Sequence, residues 1–429
     1  MLLVYTHKIT PRITYIFKHI FENMLDLSVS FSTAVEVFVA HSGPKMSYAG
    51  RSLGNEFNIT SHSLLFERGV IDQDITIYDW EGIPAFFKTD DNAPIPFDIF
   101  AASFFLLSRY EESIPKIKTT NEFFDSTQSL AFKEGFLEMP LIDIWVLKLH
   151  KIMSGFFTEI EPYKKKYSKK ELLIDVPLAF RYRHRSFLVS MEIFLKSIWQ
   201  LNLLKTFNQF MVLLRLEDDP YDSFDSWVSW LKDSNLKPKV FFRFANSSKY
   251  ESSISIFNRR LHAIIKKTGD VYMLGLLLSV KSHLKPELSL NQEKKGFQEL
   301  TNRQVKMSRI PNSFRQLSLV YADLENFEFT DDYSMGYSNK IGFRASTSTP
   351  FYFYDLANES KLSLKAHPVV ASESVIKNGK SNETFNNLER IFKTLPLNCS
   401  RLTIAVSNGF LNPKKQNLPL QKSFKNYIK

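Results

Sequence analysis

At 429 residues, with 44% apolar and 23% charged side chains, the chain exceeds one ordinary core and has a globular rather than a disordered balance. Its 14 glycines include neither GxGxxG nor GxxxxGK[ST], which argues against a glycine-rich phosphate cradle, and a lone cysteine, Cys399, excludes an internal disulfide and a cysteine-based zinc cluster. The net charge of +10 conceals a split: residues 1–163 carry 13 Lys and Arg against 21 Asp and Glu, net −8, whereas residues 164–429 carry 42 against 24, net +18.

In chain order, Met1–Lys8 has no basic leader and only a short apolar run, so it does not read as a signal peptide. Leu2–Tyr5 reads as a strand and Arg12–Leu25 as an amphipathic helix. Val35–Val39 and Asp74–Tyr78 alternate as strands do. Phe97–Tyr110 reads as a buried helix with Asp98 in its first turn, and its tail, Ser108-Arg-Tyr-Glu-Glu112, as a solvated helix end. The basic run Pro162–Lys170 coincides with the charge break and predicts a domain boundary: an N-terminal α/β domain over 1–163, a basic linker over 164–170, and a second domain over 171–411. Opposite charges imply either attraction between the halves or an anionic partner for the second one.

The second half alternates strands with helices, which predicts a parallel sheet or barrel. Strands are expected at Leu172–Val176, Lys239–Phe244, Val271–Leu278, Val305–Ser308, Phe351–Tyr354, Leu362–Ala366 and Arg401–Val406. A helical insertion over 186–216 is interrupted by Glu192, Lys196, Lys205 and Arg215, which a bilayer core would penalise; its apolar faces are expected to pack on the domain rather than on a membrane surface. With no membrane span and no leader, the expected compartment is the cytoplasm. The basic tail over 412–429 is expected to fray. Glu217–Asp222 reads as the capped start of a helix, and Asp90-Asp91 and Asp331-Asp332 as polar turns without a nearby histidine. The nine histidines include no pair at i, i+3 or i, i+4, so no ready metal site is visible. No GxSxG elbow and no nucleic-acid module signature occur, and no nucleic-acid partner is expected.

Three runs carry a resemblance: Pro96-Phe-Asp-Ile-Phe-Ala-Ala-Ser-Phe-Phe-Leu-Leu-Ser-Arg-Tyr-Glu-Glu112, Tyr333-Ser-Met-Gly-Tyr337, and Gly342-Phe-Arg-Ala-Ser-Thr-Ser-Thr-Pro-Phe-Tyr-Phe-Tyr-Asp-Leu356. With the segment order of residues 168–429, they resemble the polysaccharide deacetylase family, in a branch with an extra N-terminal α/β domain. The resemblance implies a distorted, partly closed (β/α) barrel and a divalent metal, such as zinc, held by Asp and His, with a second Asp as base and a late His as acid. On these motifs Asp175 stands at the base position, Pro177 at a metal-binding Asp, Leu277 at a metal-binding His and Ser407 at the acid His. Ser308-Arg309 is kept without its following histidine.

Proline and leucine offer no lone pair to a cation, so no metal cofactor is expected. Asp175, Arg309 and Arg344, with Tyr337 and Ser279, read either as a remnant glycan pocket or, for the charged three, as paired structural residues at strand ends. The expected role is carbohydrate binding or scaffolding in surface polysaccharide metabolism, with an acidic carbohydrate or phosphorylated glycan carrier as partner. The alternative is an active deacetylase using displaced ligands such as Asp175, His283 or His367.

Overall fold

The computed structural model describes residues 1–90, 93–114, 124–164, 168–185, 203–232, 234, 236–311, 316–379, 381–412 and 418–428, with positions 190, 191, 195 and 199. The first half is built on β1 (Leu2–Tyr5), α1 (Pro11–Lys18), β2 (Val29–Ser32), α2 (Val35–Ala40), β3 (Lys45–Ala49) and β4 (Phe57–Thr60). The four strands are parallel in the order β2-β1-β3-β4. Thr10 caps α1 through its hydroxyl on Ile13 N at 3.1 Å, and Pro11 opens the first turn, where a missing N–H costs nothing. The helix runs on as a π turn, His19–Met24, and buries Ile13, Ile16, Phe17, Ile20 and Phe21.

Val35–Val39, expected as a strand, is helix α2: Phe38 is buried while Val35, Val37 and Val39 face out. Its position explains the reversal, because β2 and β3 both pair parallel with β1 and need a crossover between them. Of Asp74–Tyr78 only Tyr78 is in a strand, in the hairpin of β5 (Tyr78–Trp80) and β6 (Ile83–Ala85). Helices α3 (Ile99–Leu107), α4 (Leu130–Lys133) and α5 (Leu141–Phe156) follow. All nine residues of α3 are buried. Asp98 is its cap, accepting Phe100 N at 3.0 Å and Ala101 N at 2.9 Å, and its other oxygen takes Tyr48 Oη at 2.6 Å, tying the helix to β3.

The second half comprises β7 (Lys169–Val176), α6 (Leu203–Leu213), α7 (Phe224–Lys232), β8 (Lys239–Phe242), α8 (Arg259–Gly269), β9 (Met273–Leu277), α9 (Val280–Leu284), α10 (Pro286–Thr301), β10 (Met307–Arg309), α11 (Leu317–Asn326), β11 (Asp331–Gly336), β12 (Phe351–Asp355), β13 (Ser360–Val369), β14 (Ala371–Ser372), α12 (Glu373–Asn378), α13 (Ser381–Thr394), β15 (Arg401–Ser407) and α14 (Leu418–Ile428). Nine strands form one sheet, β12-β13-β11-β10-β9-β8-β7-β15-β14, parallel except for β12. Strands β13 and β14 are one extended run interrupted at Val370, whose N–H reaches Thr403 O of β15 at 2.9 Å. The run therefore pairs with β11 at its start and β15 at its end, and the sheet curls into a barrel of the expected type.

Leu173, Phe241, Leu277, Met307, Tyr333, Val369 and Ala405, one from each of seven strands, pack together inside that curl. Gly275 makes the room: a Cβ there would meet the Phe241 ring at 2.5 Å.

All seven expected strands are present, with ends shifted by a few residues. Asp331-Asp332, read as a polar turn, begins β11 instead. Asp332 is buried and accepts Ser308 Oγ, Ser334 Oγ and Ser334 N, each at 2.8 Å, which compensates its burial. The tail expected to fray carries α14, with Phe424, Tyr427 and Ile428 buried. Strand β7 already includes Lys169 and Lys170 of the basic run. Within the expected insertion α6 is helical, and residues 186–202 lie outside the described residues except for the four positions named above.

Apolar residues of both halves share one continuous core. Tyr15 and Phe104 of the first half each pack on Tyr354 of the second, with ring centroids 5.0 Å apart. Cross-half ion pairs run in both senses, Arg344 with Glu112 and Arg390 with Glu138, but also Arg12 with Glu359. Charge attraction is thus only part of what joins them.

Candidate functional site

In a parallel barrel the carboxyl ends of the strands and the loops beyond them form the mouth where ligands collect. Asp175 and Arg309 sit there, on β7 and β10. Arg309 Nε donates to Asp175 Oδ1 at 2.7 Å, and Arg309 Nη1 donates to Tyr333 O. Burial raises the Asp175 carboxyl above the usual range, and the Arg309 charge opposes that shift. Ser279, just past β9, donates to Glu293 Oε1 at 2.5 Å and caps α9 by accepting Ser282 N at 3.0 Å. Arg243, just past β8, pairs with Glu251 at 3.0 Å. Ser407, at the end of β15, donates its N–H to Glu373 Oε2 at 2.6 Å.

A second cluster lies beside the first, where the N-terminal half meets the mouth. Arg344 grips Glu112 with two bonds, Nε to Oε1 at 2.9 Å and Nη2 to Oε2 at 2.7 Å. Arg109 adds Nε to Glu112 Oε1 at 2.8 Å and Nη2 to Glu111 Oε1 at 2.6 Å. Tyr337 closes the group, with Arg109 Nη2 at 3.4 Å from its hydroxyl and the Arg344 guanidinium 5.5 Å from its ring centroid. Burial by itself would raise Glu112, but Arg344 and Arg109 outweigh it and hold its carboxyl near 2. Burial also lifts the Tyr337 hydroxyl to about 12.

Ser108–Glu112 is accordingly no solvated helix end. Arg109 is 2% and Glu111 7% exposed, and Arg109 turns the chain with φ +52. The one sequence signal was the nearly all-apolar run Ile99–Leu107 directly before it, which places this polar end close to the core. Asp219, for its part, does not cap α7. Its carboxylate accepts the backbone N–H groups of Arg181, Tyr182 and Arg183 at 2.7, 2.8 and 3.0 Å, pinning the start of the insertion. Glu251, Glu293, Arg243 and Glu373 carried no motif and could be placed only by the fold.

The metal that the resemblance implies does not fit these residues. Asp175 is engaged by a guanidinium, and Leu277 lies in the apolar filling of the barrel at 0% exposure. Pro177 follows β7 with no donor atom in its side chain. His367 lies on β13, with its Nε2 2.7 Å from Asp331 Oδ1 and its ring stacked on Tyr333. This contradicts the reading of Asp331 as lacking a nearby histidine. His283 is buried in α9. Among the described residues no three His, Cys, Asp or Glu side chains gather as a metal ion would need. No helix among them is long and apolar enough to cross a membrane.

An open cleft of about 560 Å³ lies on the same side of the barrel. Asn339, Lys340 and Ile341 beyond β11 and Asn378 of α12 form one wall, and Phe132, Leu137 and Glu138 of the first half the other.

Residues 2–158 match a family model described as a family of unknown function, DUF7033. No curated protein matches. Among solved structures the chain is similar to a Mycobacterium smegmatis protein assigned as a polysaccharide deacetylase, at 9% identity and TM-score 0.38, over 62% of this chain and 84% of that one. A CE4 family pseudoenzyme from Bacillus anthracis matches at 10% identity and TM-score 0.31, over 62% of this chain and 64% of that one. Puue allantoinase matches at 8% identity and TM-score 0.38, over 61% and 82%. The fold assignment rests on the sheet itself, a curled nine-stranded α/β barrel sheet beside a separate four-stranded parallel one.

Proposed function

We propose that this protein is a polysaccharide deacetylase-like barrel that binds carbohydrate without hydrolysing it, as a binding or scaffolding element of surface polysaccharide metabolism in the cytoplasm. One observation carries the reading: Leu277, at the aligned metal-histidine position, lies in the apolar filling of the barrel, and Pro177, at the aligned metal-aspartate position, has no donor atom in its side chain. Asp175, at the base position, pairs with Arg309 through Oδ1 alone, which leaves its other oxygen able to take a proton but with no metal-held water beside it to act on. The cleft between the halves is the place for the sugar. Asn378 and the carbonyl of Asn339, whose amide nitrogen is held by Asp125, suit hydroxyl groups; Lys340 suits an acidic sugar or phosphate, and the cleft's carboxylate, Glu138, is paired with Arg390. The +18 charge of residues 164–429 favours the same class of ligand.

The test joins metal analysis of the purified protein to acetate release from acetylated oligosaccharides. No stoichiometric zinc, cobalt or nickel and no acetate above background are expected. One tightly held ion per chain, or turnover, overturns the reading. Titration with acidic and neutral oligosaccharides should show a preference for the acidic ones that weakens with salt and is lost in Lys340→Glu. Equal binding at low and high salt would count against the charge argument.

A further inference from the structure

Helix α6 leaves Phe207, Phe210, Leu213 and Leu214 in water, against the expectation that its apolar face packs on the domain, but nothing in the structure shows what covers it. The cleft between the halves is better defined. Its walls are joined at the base: Phe343 N donates to Leu137 O at 2.9 Å, and Gly342 lies so close that a Cβ would meet Leu137 Cγ and O at 2.6 Å. On the first-half wall, Ser129 Oγ accepts Phe132 N at 3.2 Å and Glu111 Oε2 accepts Leu130 N at 2.8 Å, which fixes the short helix α4. Ala131 turns inward, and Phe132, 38% exposed, lines the cleft. From the opposite wall Lys340 reaches over the Phe132 ring, its Nζ 5.6 Å from the centroid.

The two side chains best suited to a sugar ring and to an acid thus lie on each other. The nearby carboxylates are engaged elsewhere: Asp125 takes Thr127 and Asn339, and Glu138 takes Asn387 and Arg390. The Asp125 carboxyl lies below its usual range chiefly through Thr127, and the Lys340 charge adds only a minor part. A neutral sugar laid on Phe132 from the cleft displaces the ammonium and gains nothing in return. A sugar that itself carries a carboxylate regains an ion pair, because the displaced ammonium stays within reach of the stacked ring. We propose that Phe132 and Lys340 together read a hexuronic acid: the phenyl ring takes the C–H face of a pyranose with equatorial substituents, and the ammonium takes its carboxylate. The proposal rests on the carbohydrate reading of the cleft and names the sugar.

The experiment titrates the full chain calorimetrically with cello-oligosaccharides and with the matching glucuronate oligomers, which differ by one carboxylate per sugar. Wild type should prefer the glucuronate, and Lys340→Ala should abolish that preference. An exposed cation–π contact is worth about two- to fivefold, so Lys340→Ala should tighten the neutral oligomer by about that factor. The gain should vanish when Phe132→Leu, which keeps apolar bulk without the π face, is already present. Within Lys340→Ala, Phe132→Ala should weaken both oligomers about three- to sevenfold, the share of a phenyl side chain's burial that 38% exposure leaves open. Melting curves should stay unchanged for Lys340→Ala and Phe132→Leu, since Lys340 is exposed and Phe132 partly so. A neutral oligomer that loses affinity in Lys340→Ala, or gains it equally with and without the phenyl ring, overturns this proposal and leaves the carbohydrate reading standing. No binding of either oligomer to wild type overturns both.

Discussion

Replacing Glu112 by Gln removes one negative charge from between two buried guanidiniums and keeps the side chain's shape. In the native protein Arg344 and Arg109 hold the Glu112 carboxyl near 2 instead of the usual 4.5. At about 1.36 kcal/mol per pH unit, that difference is worth about 3 kcal/mol at neutral pH. The general cost of breaking a buried ion pair, about 3–5 kcal/mol, agrees with it. The sign follows from linkage: a depressed carboxyl stabilises the fold above its unfolded value, and the contribution is lost as pH falls through the folded one. At pH 3 less than half of it, roughly 1 kcal/mol, should remain. Urea denaturation of wild type and Glu112→Gln at pH 7 and pH 3 measures the gap, and with a slope of about 3 kcal/mol/M the midpoint should shift by up to about 1 M at pH 7. A gap below about 1 kcal/mol at pH 7, or one of equal size at both pH values, would refute the reasoning.

Arg309→Met should destabilise by about 3–5 kcal/mol, because Asp175 is then buried without its counter-charge. Its carboxyl, already raised, should rise further, so the loss should be greatest at neutral pH and shrink as pH falls through those raised values, before the ordinary carboxylate range is reached, and adding Asp175→Asn should recover part of it in the same urea assay. The pair Pro177→Asp and Leu277→His, which restores donor types at the aligned positions, should raise zinc affinity in a competition titration; no gain from a variant that still folds would show that the motifs are placed wrongly or that the pocket has closed. Trypsin should cut at the basic run Lys164–Lys170, yet the two pieces should co-elute even in 1 M salt, with a Debye length of about 3 Å, because the halves share an apolar core; separation by salt alone would mean that charge holds them.

Period and composition were enough to reveal the alternation of strands and helices in the second half, the seven strand sites and the buried helix after Asp98. Burial of apolar residues at a fixed period is a local property of the chain. Tertiary structure decided the rest, and for one physical reason: the partner of a charge is chosen across the fold, not along the chain. Arg109 and Glu112 read as a solvated helix end, and Arg344 as a pocket or paired residue, until two distant segments converge; Asp331 and Asp332 read as a turn until serines and a histidine satisfy them. Val35–Val39 alternates like a strand, but two parallel strands on either side need a crossover there. Which charge pairs with Asp175 was likewise beyond the sequence, since Arg309 lies 134 residues away and reaches it only when the sheet curls.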